Sequence, residues 1–408
     1  MLINDKYHLS YCTNIHPGEN WAQTFANLRI YLPEVKKKMS PETPFGIGLR
    51  LSNKASEELH TGTNLYRFKQ WLEANDMYVF TMNGFPYGNF HFSEVKDLVH
   101  APDWTKEDRL EYTLRLFDQL NYLLPKGVSG GISTSPVSYK HWHTTEELRE
   151  KSFEKAAFNM ARVVHRLYDL ECVTGKYMHL DIEPEPDGLI ENSFELINYY
   201  RAYLIPAAAE YLRKELDKNP VEAEEMVLRY IQVCYDTCHF ALAYENPDRT
   251  FKRFAQTGIR IGKIQISSAL KVQFSGDNDR QLMEELSKFI EPVYLHQVTE
   301  KTDNGVRTYS DLPAVVNSKR KFKELRAHFH VPIFLEKYGN LMSTQEQILQ
   351  TIKYLAAHPG LCEHIEVETY TWEVLPQDLK LELTESIHRE LTWLKTNLLN
   401  VYEEDCSS

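Results

Sequence analysis

The chain has 408 residues, 42% hydrophobic and 25% charged, with a formal net charge of −12 and a pI near 5.8. That composition excludes a disordered chain, and the acidic balance argues against a protein that grips nucleic acid, since phosphate contacts need clustered Lys and Arg. The opening MLINDKYHLSYC has neither the positive start nor the apolar segment of a secretory signal, and no later stretch approaches the ~20 apolar residues of a membrane span, so a cytoplasmic protein is expected.

In chain order, short apolar or β-branched runs alternate with longer helical patterns. The strand candidates are 7–15, 45–51, 78–85, 130–135, 177–186, 230–239, 263–269, 293–300, 331–336 and 364–372. This alternation is the signature of β–α units feeding a parallel sheet, and it predicts an α/β fold of the (β/α)8 TIM-barrel class with insertions. Ten candidates exceed a barrel's eight, so VYLHQVTE (293–300) is assigned to a hairpin or loop and one further run to an insertion. Thr144 to Glu147 is a capping-box pattern before an apolar stripe of Phe153, Ala157, Met160, Val164 and Leu167. Ser343 to Glu346 repeats the box, and Leu379, Leu383, Ile387, Leu391 and Leu394 mark a closing helix over 377–399. With no linker or low-complexity tract, one domain over 1–408 is expected. The six cysteines form no C-x-x-C pair and read as reduced thiols, Cys234 and Cys238 among them.

Catalytic groups of a barrel come from the C-terminal ends of its strands. Polar residues late in a strand and on one parity are therefore the ones to follow. YMHLDIEPEP puts His179, Asp181, Glu183 and Glu185 on one face and Met178, Leu180 and Ile182 on the other, so the polar face should point into the barrel. HIEVETYTW repeats this with Glu366, Glu368, Tyr370 and Trp372. Two strand-embedded glutamates cost several kcal/mol of desolvation unless a cation or hydrogen bonds compensate, which a divalent ion would do for both. VCYDTCHFALAYE offers Asp236 and His239 three residues apart after an apolar run, a carboxylate and an imidazole for a metal, and KIQISSA adds Lys263, Gln265 and Ser267. His8, His16 and Trp21, and the loop bearing Asn83, Tyr87, Phe90 and His91, are candidates for shaping a small-molecule pocket. The doublets HWH (141–143) and HFH (328–330) read as exposed and incidental. No nucleotide-binding or G-x-S-x-G motif is present.

These residues carry a resemblance. CYDTCHFALAYE resembles the D-T-C-H segment of the endonuclease IV group, and the wider set resembles xylose-isomerase-like TIM barrels, including sugar 3-epimerases. With YCTNIHPGENW, NGFPYGNFH, LDIEPEP and IEVETYTW, the chain is most similar to the EboE family of metabolite traffic proteins. The resemblance implies a divalent ion (Mn, Zn or Co) on Glu183, Asp236, Gln265 and Glu368, with Glu183 and Glu368 doubling as the acid–base pair. It implies that His239 contacts a substrate oxygen or a second ion, while His8, His91, Glu366 and Trp372 are expected to line the same substrate pocket. The epimerases have histidine where Gln265 stands, and a three-metal endonuclease cluster would need further histidines, for which His8, His91 and His296 are the candidates. The expected activity is a metal-dependent isomerase or epimerase of a small sugar-like metabolite, in a protein able to self-associate. The alternatives are a non-catalytic metabolite carrier and a metal-dependent hydrolase.

Overall fold

The computed structural model describes residues 1–88, 96–276, 278–290, 295–318, 320–369 and 382–406. Fifteen strands are found among them. β1 (Leu2–Ile3) and β2 (Tyr7–Tyr11) open the chain, followed by β3 (Phe45–Arg50), β4 (Met77–Asn83), β5 (Gly130–Thr134), β6 (Met178–Ile182), β7 (Ile231–Asp236) and β8 (Ile261–Ile266). Six more lie in an insertion: β9 (Ala269–Gln273), β10 (Val298–Thr302), β11 (Gly305–Tyr309), β12 (Glu324–His330), β13 (Lys337–Tyr338) and β14 (Leu341–Ser343). β15 (His364–Val367) completes the set.

Eight of these strands make a parallel barrel in the order β2-β15-β8-β7-β6-β5-β4-β3, with β1 folded back antiparallel on β2. The seam between β2 and β3 is held by one backbone bridge, Cys12 to Gly48, and by two side chains. Ser10 Oγ accepts from the Gly48 N–H at 3.1 Å and Thr13 Oγ1 from the Arg50 N–H at 2.9 Å. The architecture is therefore the α/β TIM barrel that the alternation predicts. Its outer layer is built as expected: Met178, Leu180 and Ile182 are buried against helices such as Glu146–Thr174, whose Met160, Val164 and Leu167 are buried too. The parity rule for β6 holds because alternate side chains must serve two different surroundings.

The surplus strands form an antiparallel sheet of their own, ordered β11-β10-β12-β9-β14-β13, between β8 and the helix Gln345–Ala357. The run 331–336 is not a strand; the strand is β12, immediately before it. Pro332 lacks an N–H for the ladder, and the N–H of buried Ile333 goes to Glu390 Oε1 at 3.1 Å instead of a neighbouring strand, so an apolar run here signals packing rather than pairing. The helix expected over 377–399 is described from Leu383 to Cys406. No helix among the described residues is long and apolar enough to cross a membrane.

Candidate metal centre at the barrel mouth

Barrel interiors are ordinarily filled by branched apolar side chains, but this one is polar through its middle. Lys263 Nζ lies 2.9 Å from Glu366 Oε2 and donates to Asn83 Oδ1 at 3.2 Å, while Asn83 Nδ2 donates to both Glu366 oxygens at 3.1 Å. Gln265 Nε2 donates to the same Asn83 oxygen at 3.2 Å, and Gln265 Oε1 accepts from Cys234 Sγ at 2.7 Å. Every member is buried. Gly48 is required beside it, because a Cβ there would stand 1.6 Å from Glu366 Oε1. Glu366 therefore has its charge and hydrogen bonds answered inside the barrel. It does not face the mouth as a pocket-lining residue would, and Gln265 sits in this same lower layer with its amide oxygen already engaged.

One layer higher, toward the C-terminal ends of the strands, the balance reverses. Ligand oxygens of Glu183, Asp236 and Glu368 lie within 4.8 Å of one another, all buried. Glu183 follows β6, where its backbone N–H donates to Thr134 O at 3.0 Å, and Glu368 follows β15, with its N–H on Ile266 O at 3.0 Å. Asp236 ends β7 and caps the short helix Thr237–Leu242. Its Oδ1 accepts from the N–H groups of Cys238 (2.8 Å) and His239 (3.1 Å) and from Ser267 Oγ (2.6 Å). The spacing of Asp236 and His239 is thus explained: Asp236 stops the strand by capping, and the same turn brings His239 round to the mouth. Asp236 Oδ2 is left buried with no hydrogen-bond partner among the described residues.

The electrostatics follow from this crowding. Burial, then the charges of Asp236 and Glu185, pushes the Glu183 carboxyl well above the ordinary range. Burial, then Glu183 and Asp236, does the same to Glu368. Burial would also raise Asp236, but His239, His330 and the capping hydrogen bonds outweigh it and hold it low. The three carboxyls thus compete for one buried space, and a divalent cation would relieve all three together. The orphaned Asp236 oxygen and the all-oxygen donor set fit such an ion.

The imidazole that Gln265 does not supply comes from elsewhere. His328 and His330 are buried on β12, and His330 groups with Asp236 and His239 within 4.8 Å. The HFH doublet is therefore neither exposed nor incidental: docking of the inserted sheet against the barrel turns both rings inward. Two histidines on one parity of a β-branched and aromatic run were the signal for this. His296 lies nearby, its Nδ1 bonded to the backbone oxygen of His328 at 2.9 Å. His8 cannot join them. It opens β2 beside His364, at the N-terminal end of the barrel, where its Nδ1 meets Tyr78 OH at 2.8 Å. His91, Phe90, Tyr370 and Trp372 lie outside the described residues. His141 pairs with Asp187 at 3.0 Å and His143 with Ser138 at 2.8 Å, both structural contacts. A further mouth residue that sequence patterns did not single out is His100, 3.4 Å from Glu185 and edged by Phe85, Tyr139 and Trp142.

No family model and no curated protein match this chain. Among solved structures, similarity extends to an IOLI protein with a bound zinc atom, at 11% identity over 97% of this chain and 98% of that one, with a TM-score of 0.47. A D-tagatose 3-epimerase-like protein gives 9% identity over 97% and 99%, with a TM-score of 0.48. A xylose isomerase-like TIM barrel protein from Mycobacterium smegmatis in complex with magnesium gives 11% over 97% and 97%, with a TM-score of 0.46. These are likenesses of fold; the site stands on its own geometry.

Proposed function

We propose that this chain is a divalent-metal-dependent isomerase or epimerase of a small hydroxy-carbonyl metabolite, sugar or sugar-like, in the EboE family of metabolite traffic proteins. The family assignment rests on the motifs YCTNIHPGENW, NGFPYGNFH, LDIEPEP and IEVETYTW. The observation that carries the activity is the convergence of Glu183, Asp236 and Glu368 at the mouth.

Glu183, Asp236 and Glu368 would hold the ion, which would act as a Lewis acid on a carbonyl and its neighbouring hydroxyl. The side chains then divide the proton work. Burial and the neighbouring carboxylates push Glu183 and Glu368 well above the ordinary carboxyl range, the direction that suits groups which give and take protons. Asn14 Nδ2 donates to Glu368 Oε1 at 2.8 Å and orients it, and His239 Nδ1 lies 3.5 Å from Glu183 Oε1, where it can exchange a proton. Gln265, assigned a ligand role from the resemblance, acts in this reading as part of the floor that carries Asn83 and Glu366.

The test is incubation with Mn2+ and a panel of free ketohexoses in D2O, followed by NMR. Ion-dependent deuterium incorporation at the carbon between carbonyl and hydroxyl, lost in Glu368→Gln, is the expected result. Ligand binding without exchange would instead point to a non-catalytic carrier, and release of water-cleaved products to a metal-dependent hydrolase.

A further inference from the structure

We propose that the cavity at the N-terminal end of the barrel, opposite the three carboxylates, binds a protonated aliphatic amine. This site goes beyond the reading above, which uses only the C-terminal mouth, where the chemistry of such a barrel is carried out.

The cavity, of about 730 Å3, opens between the loops that lead into β5, β6, β8 and β15. Its size is that of a small-molecule pocket, about 300–1,000 Å3. Two buried imidazoles on different strands, His179 and His364, line it with their rings stacked at 5.3 Å. His364 Nε2 donates to Ser129 O at 3.1 Å, a carbonyl that can only accept. The lone pair of that ring therefore sits on Nδ1, which is buried with no hydrogen-bond partner among the described residues. Burial, then His179 and His8, holds the His364 imidazole well below its usual pKa, so it is an uncharged acceptor. His179 Nδ1 donates to Asp181 Oδ1 at 2.6 Å, which leaves the second lone pair on His179 Nε2. Gly262 makes room for this pair: a Cβ there would stand 1.9 Å from Asp181 Oδ1.

The balance of donors and acceptors sets the polarity of the occupant. The side-chain donors around the cavity are spent inside the protein: Ser129 Oγ on Glu363 Oε2 at 2.8 Å, Tyr177 OH on Arg229 O at 2.7 Å, Gln232 Nε2 on Arg229 O at 2.9 Å and Lys176 Nζ on Leu124 O at 2.8 Å. Arg260, exposed at the rim, is hydrogen-bonded to Tyr177. Acceptors are what remain: the two imidazole nitrogens on the floor and the Glu363 carboxylate at the rim. The occupant must bring the hydrogens. The local field favours a cation as well, because the helices Glu107–Leu123, Glu146–Thr174, Pro247–Gln256 and Gln345–Ala357 all end at this rim, and a helix C-terminus carries about −0.5 of an elementary charge. Val128, Phe254, Ile259 and Leu361 add apolar wall that a bare metal ion could not use and an aliphatic chain can.

The experiment is calorimetric titration of the full-length protein with n-hexylammonium, beside 1-hexanol and hexanoate as uncharged and anionic probes of the same length, with saturation-transfer NMR as a second readout. Hexylammonium is expected to bind at one site per chain, about tenfold or more tighter than either control, since an ammonium's hydrogen bonds are charge-assisted. Ala255→Trp, at an exposed lining position on the helix Pro247–Gln256, should fill the cavity and abolish binding. Glu363→Gln, an exposed substitution, should weaken it about two- to fivefold through loss of the rim charge. Glu368→Gln, at the far end of the barrel, should bind as wild type does. Circular dichroism checks the folding of each variant, and should Ala255→Trp not fold, Glu363→Gln carries the test. The proposal is overturned if none of the three probes binds, if hexanol or hexanoate binds as tightly as the amine, or if both rim variants bind like wild type. Binding lost in Glu368→Gln and kept in Ala255→Trp would place the amine at the mouth and overturn this site while leaving the proposed function standing.

Discussion

Glu366 and Glu368 sit two residues apart on the same face of the same segment, yet the molecule treats them in opposite ways. Glu366 meets Lys263 at 2.9 Å and Asn83 at 3.1 Å in a fully buried network. Glu368, one layer up, faces Glu183 and Asp236 and is pushed far above the usual carboxylate range by burial and by their charges. The lower glutamate is neutralised by the chain itself, and the upper one awaits something from outside. A polar barrel interior thus contains a closed structural layer and an open chemical one, and their separation is a single step of strand periodicity.

The largest expected effect breaks the closed layer. Lys263→Met leaves Glu366 buried without its cation and should destabilise the fold by about 3–5 kcal/mol in urea unfolding. An unchanged midpoint would mean Glu366 is neutral in the folded state. The open layer should respond instead to ions: Mn2+ at about a hundred times its dissociation constant should add about 2.7 kcal/mol to wild type, and a chelator should reverse it. The gain should be absent from Glu368→Gln.

Glu390 sharpens the contrast as a third kind of buried glutamate. Its Oε1 accepts from the Ile333 N–H at 3.1 Å and from Thr369 Oγ1 at 2.8 Å, and burial raises its carboxyl to about 8. A carboxyl raised on folding contributes stability that is full below its unfolded value and is lost as pH rises through its folded one. Stability should therefore fall between about pH 4.5 and pH 8 through this group, and Glu390→Gln should remove that part of the slope. A wild-type and variant pair with parallel pH profiles would refute it. In metal-free protein, Glu368→Gln should raise the free energy of urea unfolding modestly, by on the order of 1 kcal/mol, because a crowded acid is replaced by a neutral amide. The smallest effect belongs outside the barrel: Arg162→Ala, which breaks an exposed pair with Glu107 at 2.7 Å, should change stability by less than about 1 kcal/mol.

The strands around the barrel were legible because each sits between helices and a core, and such a position demands the apolar runs seen at 45–51 and 177–186. The three carboxylates of the mouth were legible for a related reason, since strand ends and parity are local properties. What was not legible was the depth of each residue along the barrel axis. Gln265 and Glu366 have the same parity as groups at the mouth but lie a layer below it, and His8 has its place at the opposite end.

His328 and His330 mark the other limit. Their alternation was present in HFH, but nothing local distinguishes a strand on the surface from one whose face is covered by a barrel 90 residues earlier in the chain, as His328 is by His239, 89 positions away. The sequence by itself determined the α/β alternation, the barrel and the carboxylates at its strand ends, because these follow from periodicities of two and of three to four residues. Only the tertiary structure decided which buried acid has a cation, and which imidazoles reach the site. Both depend on contacts between distant strands, where register and the docking of an inserted sheet set distances that no local pattern encodes.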